Sequence, residues 1–294
     1  MFFLAACVSL CLTLKDSDRR LLFVTLVALL FLTSYPLLVL FQEGQVELLA
    51  EALAIMSLAF QRSRYAFASA LTLAFAVLLK GPAMLLLLYF VVFRRDVSYL
   101  LHFVVSVLVI IGASLLIVPA GDYWYYMSHV VPSFSDVIMP NYNQSVGGLL
   151  SIAHMNYFAP VASLIGFVVF ALFAYWVGAR HSPIGQGTLS SDSMFLMNVL
   201  IMLLFGPRSI IYPYVWVILP LALFLSAVLM QSVRARYLVV VGFGAFLLNS
   251  NLVPSMLNYE VLPLEVIGNI MTTLCLIILF VRPATALISA NALK

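Results

Sequence analysis

Residues 46–93 read VELLAEALAIMSLAFQRSRYAFASALTLAFAVLLKGPAMLLLLYFVVF, and their punctuation decides the fold. Charge enters only at Glu47, Glu51, Arg62, Arg64 and Lys80, and the residues between are overwhelmingly apolar. Three apolar segments follow one another, 46–60, 65–79 and 82–93. At about 1.5 Å of rise per residue, each is roughly 18–22 Å long. A bilayer's hydrocarbon core is about 30 Å thick, so each segment falls short of a full crossing. Joining 65–93 into one helix kinked at Gly81-Pro82 would put Arg62 and Arg95 on opposite sides of the membrane, against the tendency of cations to share the cytoplasmic side. Two short segments with a turn at Lys80-Gly81-Pro82 satisfy the charge pattern.

The rest of the chain follows the same rule. Of 294 residues, 65% are hydrophobic and 9% charged, with a mean hydropathy of +1.15. Soluble domains carry about 25% charged residues, and a chain this apolar cannot hide its surface in one core. Apolar runs predict an all-α, polytopic transmembrane protein of about eleven spans, near 2–14, 21–41, 46–60, 65–79, 82–93, 99–118, 158–179, 194–205, 210–231, 237–249 and 264–281. The whole chain, 1–294, reads as a single transmembrane domain. Alternate loops hold Lys15, Arg19 and Arg20; Arg62 and Arg64; Arg94 and Arg95; Arg180; Arg234 and Arg236; and Arg282. That pattern places the N-terminus outside and the C-terminus in the cytoplasm. The longest intervening loop, 120–157, carries no lysine or arginine and is read as extracytoplasmic.

Lys80 and Arg208 break the charge rule, because both fall on outer turns between short spans. With the Gly44-Gln45 turn they define three recessed outer turns, and irregular backbone at membrane depth is tolerated where a wet cavity meets it. A cation at that depth is a functional-site hypothesis. Its natural partner is an anion that also belongs in a membrane, a lipid phosphate or pyrophosphate, gripped by arginine as a fork and by lysine as a point charge. The competing reading pairs each cation with a carboxylate, Glu47 or Glu51, which share one helix face at i,i+4 spacing. The 120–157 loop carries Asp122-Tyr123-Trp124-Tyr125-Tyr126, His129, Asp136 and Asn141-Tyr142-Asn143-Gln144-Ser145. Rings and amides of this kind suit a glycan, while an interfacial aromatic belt is the plainer account of Tyr123–Tyr126. Asn143-Gln144-Ser145 also fits an N-glycosylation acceptor.

Other classes find no support. Basic residues never run beyond a pair, which excludes a nucleic-acid footprint. Cys7, Cys11 and Cys275 sit in apolar segments without zinc-ligand spacing and read as packing residues. His129 and His154 show no metal spacing, and His102 and His181 stand alone. No basic n-region or cleavage site marks a signal peptide at the N-terminus, and the abrupt apolar start reads as a chain that begins partway through a larger protein.

With these residues in place, the stretch from about 22 to 221 resembles the polyprenol-phosphate-sugar-dependent glycosyltransferases of the membrane C superfamily (GT-C), above all family 87, the bacterial mannosyl- and arabinosyltransferase-like group. Gly44-Gln45 with Glu47 is similar to that family's Gly-Gln-x-Asn turn. Residues 66–87 with Lys80-Gly81-Pro82 resemble its short helix ending in a lysine and a proline. Asn143-Gln144-Ser145-Val146-Gly147-Gly148-Leu149 resembles its Asn-Gln-Ser segment after the long outer loop. Pro207-x-Ser209 with Tyr212 and Trp216 falls where the family has Ser-Pro-x-Ser-Trp and a histidine. Glu47 stands in place of the usual Asn, and Tyr212 in place of the histidine. The family's general base, an aspartate in the first outer loop, has no counterpart in this chain, and neither Asp122 nor Asp136 is assigned to that role.

The resemblance implies a GT-C-like fold in a bacterial plasma membrane. It also implies transfer of mannose, arabinose or another hexose from a polyprenyl phosphate to a lipid or glycan acceptor on the outer side. The implied substrate-binding residues are Gln45, Glu47, Lys80, Asn143, Gln144, Ser145, Arg208 and Tyr212, with the catalytic base unassigned. No cofactor or metal is implied; the partners are donor, acceptor and membrane lipids, and no nucleic acid. A lipid-linked-sugar transporter or flippase, and a non-catalytic membrane subunit or relic, are the rival readings. Against the transporter, no paired inverted repeats are visible.

Overall fold

The computed structural model of the chain describes residues 2–34, 37, 46–130, 145–180, 188–205, 212–230 and 264–281. Among them every regular element is helical. The α-helices are α1 (Phe2–Thr13), α2 (Ser17–Thr33), α3 (Glu47–Arg62), α4 (Ala66–Leu79), α5 (Val97–Ser114), α6 (Ala120–Tyr125), α7 (Val146–Ile152), α8 (Ala159–Arg180), α9 (Thr188–Phe205), α10 (Ile218–Met230) and α11 (Leu264–Val281). The predicted span at 237–249 lies outside the described residues.

Local chemistry sets several of these boundaries. Asp16 opens α2 by accepting from the backbone N–H of Asp18 at 2.9 Å, and Asp96 opens α5 by accepting from Tyr99 N–H at 3.2 Å. Each satisfies a donor that the first helical turn cannot use. Arg64 (φ 65°) and Arg95 (φ 56°) adopt the left-handed conformation just past the segments they end, a position where glycine is the usual residue.

At Lys80 the chain leaves the helix in an extended conformation. Pro82 then starts a 3₁₀ segment, Gly81–Leu86, which passes into a π-helical segment, Leu88–Phe93. A proline at the first turn costs no hydrogen bond, because its missing N–H would have been an orphan there. The predicted 82–93 span is therefore helical but not an α-helix. The change of winding is answered from outside: the buried Asn198 of α9 donates its amide N–H to Leu85 C=O at 3.0 Å.

Ion pairs show which helix ends lie together. Lys80, closing α4, pairs with Glu47, opening α3. At the far end of α3, Arg62 pairs with Asp192 of α9, the same carboxylate that Arg19 of α2 meets at 2.5 Å. Tyr89 of the π segment bonds the neighbouring Ser191 at 2.6 Å, so residues 81–93 run from the Glu47 end back to the Arg62 end. The chain reverses at Lys80-Gly81-Pro82. This agrees with two short segments and overrules one kinked helix. Near the Arg62 end, Ser69 Oγ donates to Ser57 C=O at 2.6 Å and lies 3.1 Å from Tyr99 Oη, while Tyr99 stacks on Phe90 at 4.4 Å. Three helices and the π segment are tied there by a small polar cluster inside an apolar core.

Two helices, with windows Val97–Ser114 and Ala159–Trp176, are long and apolar enough to cross a membrane. Their outward faces are apolar, with Leu101, Leu108, Leu164 and Leu172 exposed, which is stable against lipid and costly against water. The shorter apolar helices include Ala66–Leu79, Gly81–Phe93, Ser191–Phe205 and Val215–Met230. Between α8 and α9, a methyl group on Gly166 would overlap the ring of Phe205. Gly166→Ala is therefore expected to destabilise the protein by about 1–3 kcal/mol through overpacking. Adding Phe205→Leu should recover much of the loss; thermal unfolding in detergent checks both, and an unchanged melting point for Gly166→Ala would rule out the close approach.

Within 120–157 the described residues are 120–130 and 145–157. These described residues form α6, a π turn (Tyr126–Val130), α7 and the start of a 3₁₀ turn (Asn156–Phe158). Trp124, Tyr125 and Tyr126 are exposed on α6 and the turn after it, in line with an interfacial aromatic belt.

Candidate functional site

The first two turns of α3 carry Glu47 and Glu51 on one inward face, as four-residue spacing dictates. Both are buried: Glu47 is 2% exposed and Glu51 0%. Glu47 sits at the positive end of the α3 dipole and Lys80 at the negative end of the α4 dipole, so each charge also suits its own helix terminus. Their ion pair joins Lys80 Nζ to Glu47 Oε1. The lysine side chain keeps 31% of its surface exposed against 2% for the glutamate, so the pair is reached from the lysine side.

This acidic corner is under-satisfied. Glu47 Oε2 and both oxygens of Glu51 are buried without a hydrogen-bond partner. Cys7 of α1 and the backbone of Leu219 on α10 lie within electrostatic range of Glu51. Unpaired buried carboxyl oxygens cost free energy, and native proteins keep few of them. A 3₁₀ segment, Tyr212–Val217, leads into α10 and packs against α3 and α9. Because Ser226, late in α10, meets Arg19, this segment lies toward the Glu47 end.

Of the residues predicted for binding, Glu47 and Lys80 are brought into contact. Ser145 is buried at the start of α7, where its Oγ accepts from Gly148 N–H at 3.3 Å. That local bond is a helix-capping role. Gln45, Asn143, Gln144 and Arg208 lie outside the described residues, as does the side chain of Tyr212. Asp122 is exposed on α6, and Asp136 falls outside the described residues. His129 stacks on Tyr125 at 4.6 Å and bonds Ser128. Among the described residues no group of three or more His, Cys, Asp or Glu is arranged to hold a metal ion.

Sequence reasoning missed the cluster at the opposite end. Asp192, fully buried in α9, is shared by Arg19 and Arg62; Arg19 also donates to Ser226 Oγ and Leu223 C=O, each at 3.3 Å. One anion thus ties α2, α3, α9 and α10 together. The available signal was the one charged residue of α9, set just before its long apolar run, since a charge at that depth normally has a partner.

The family model described as glycosyltransferase family 87 matches residues 1–207 of the chain. No curated protein and no solved structure matches it.

Proposed function

The chain belongs to glycosyltransferase family 87, and from that membership we propose that it transfers a sugar from a polyprenyl-phosphate donor to a lipid or glycan acceptor at the extracytoplasmic face of a bacterial plasma membrane. The chain is one transmembrane domain over 1–294, GT-C-like, with about eleven spans. The N-terminus is outside and the C-terminus cytoplasmic. Mannose, arabinose or another hexose is the transferred sugar.

One observation carries this reading: Lys80 lies at a chain reversal between two short helical segments, at the end of the bundle opposite the arginines. Arg19 and Arg62 meet through Asp192 at that opposite end, and Arg95 lies over the Tyr175 ring near the end of α8. Such gathering of cations supports a cytoplasmic assignment for that end. A partly exposed ammonium at the other end, set at the foot of a recessed turn, suits the phosphate of a lipid-borne donor.

The transfer is a displacement at the anomeric carbon. A base withdraws the acceptor hydroxyl proton as the oxygen attacks, and the bond to the phosphate oxygen breaks. Negative charge grows on the leaving phosphate, where Lys80 and Arg208 stabilise it in a low dielectric. Gln45, Glu47, Asn143, Gln144, Ser145 and Tyr212 complete the proposed binding surface. The general base is unassigned.

A non-catalytic subunit is the second reading, because a lysine already paired with Glu47 is also what a purely structural ion pair looks like. Purified protein in bilayers, given polyprenyl-phosphate mannose or arabinose with membrane lipid acceptors, separates the cases. Sugar appearing on the acceptor, and lost in Lys80→Ala, is the expected result. Donor recovered intact would overturn the reading, and donor moved between leaflets without sugar transfer would indicate a transporter.

A further inference from the structure

At the end of the bundle opposite Lys80, two neighbouring turns hold arginines in an unusual backbone conformation. Arg64 (φ 65°) and Arg95 (φ 56°) both lie in the left-handed region, and both are exposed. The turns are set side by side, because Gln61 Nε2 donates to Asp96 Oδ2 at 3.4 Å. A residue with a side chain is strained at such φ values, and glycine is not. The charge rule of membrane topology asks only for a cation somewhere in the loop, not for one at the strained position. Strain kept at two adjacent arginines points to a local role for their guanidiniums.

The charges of the two turns do not cancel. Arg62, Arg64, Arg94 and Arg95 stand there with one carboxylate, Asp96. Arg62 is engaged by the buried Asp192. Asp96 is occupied with opening α5, accepting from Tyr99 N–H at 3.2 Å and from Ser98 Oγ at 2.5 Å. Arg64, Arg94 and Arg95 make no ion pair among the described residues. The guanidinium carbon of Arg95 lies 4.9 Å from the centre of the Tyr175 ring of α8. Stacking fixes the flat face and leaves the N–H donors around its edge, the geometry that grips a phosphate as a fork.

Next to the arginines the surface turns apolar. Tyr65 and Phe67, where α4 begins, and Val97 and Leu101, where α5 begins, are exposed. Val97 and Leu101 share one face of α5 by their four-residue spacing. The rings of Phe67 and His102 meet edge to face at 6.4 Å, which joins the outward faces of α4 and α5 into one seam. Cations at the head of an apolar seam match a molecule with an anionic head and hydrocarbon chains.

We propose that the turns at 62–64 and 94–96 form a binding site for an anionic phospholipid, with its phosphate on Arg64 and Arg95 and its acyl chains along the α4–α5 seam. The site lies apart from Lys80 and does not depend on the donor reading. Free phosphate offers the same head group, but exposed ion pairs contribute little by themselves, and the seam adds hydrocarbon contact for a lipid alone. A zwitterionic lipid has the phosphate and the chains, yet it sets a quaternary ammonium against an excess of arginine.

Native mass spectrometry of the detergent-purified full chain, titrated with phosphatidylglycerol or phosphatidylcholine of identical acyl chains, tests the proposal. Wild type is expected to bind one phosphatidylglycerol saturably, about tenfold or more tighter than phosphatidylcholine. Arg64→Gly/Arg95→Gly removes both guanidiniums and relieves the backbone, so it should melt no lower than wild type and bind phosphatidylglycerol about thirtyfold more weakly. Lys15→Gln, which removes an exposed cation from the turn before α2 at the same end of the bundle, should bind as wild type does. Equal binding of the two lipids by wild type overturns the proposal, as does a preference kept in the glycine variant. A loss as large in Lys15→Gln would reduce the site to a diffuse field and overturn it too. Displacement of the lipid by equimolar glycerol phosphate would make the site one for a soluble anion and reject the lipid. The wild-type comparison and the displacement stand whether or not the glycine variant folds.

Discussion

Lys80→Ala is expected to lower sugar transfer by about 10²–10³-fold, the usual effect of removing one group that stabilises charge in the transition state. Two effects act together. The leaving phosphate loses its point charge, and Glu47, 2% exposed, loses its counter-ion. The second would lower stability as well as activity, so the variant needs a partner that separates them. Removing both members of a buried pair restores neutrality and is commonly tolerated, whereas removing one is not. Lys80→Met/Glu47→Gln should therefore recover the wild-type melting temperature and remain as inactive as Lys80→Ala. Recovery of activity in the double variant would make the pair structural and dismiss a role for Lys80 at the phosphate.

Asp192→Asn has the largest expected effect on stability. Arg19 and Arg62 share this one fully buried carboxylate. Its removal leaves the buried Arg19 and the half-buried Arg62 without their shared counter-ion, a loss of about 3–5 kcal/mol. The consequence extends across the bundle, because Asp192 is where α2 and α3 reach α9. Arg19 is held on three sides, by Asp192, Ser226 and Leu223 C=O, and cannot withdraw. Arg62, with 18% of its side chain exposed, has somewhere to go. Adding Arg19→Met to Asp192→Asn should therefore recover most of the lost stability in a detergent melting experiment. A melting temperature unchanged by Asp192→Asn would mean that the cluster contributes little.

The helices were legible because apolar runs and polar punctuation mark them directly. The turn at Lys80-Gly81-Pro82 was legible because one long helix from 65 to 93 would have split Arg62 from Arg95 across the membrane. Other features leave no periodic trace. The passage from 3₁₀ to π winding over 81–93 is one of them, and Asn198, which answers Leu85 C=O there, is about a hundred residues away in sequence. The helical turns within 120–157 are too short for periodicity to register. At the site, the sequence offered Lys80 either a phosphate or a glutamate. The structure supplies the glutamate and identifies it as Glu47 rather than Glu51, because Glu47 lies at the helix end beside Lys80 while Glu51 is one turn deeper. Asp192 was overlooked because its partners, Arg19 and Arg62, were read as loop cations rather than as inward-facing groups.

The central claim is that the Lys80 end of the bundle holds a lipid phosphate. Native mass spectrometry of the detergent-purified protein with added polyprenyl phosphate tests it most directly. Wild type should show saturable binding of one lipid per chain, lost in Lys80→Ala and in Arg208→Ala. Equal binding in all three proteins, or no binding in any, would contradict it and leave the Lys80–Glu47 pair as a structural bond in a chain that does not hold the donor there.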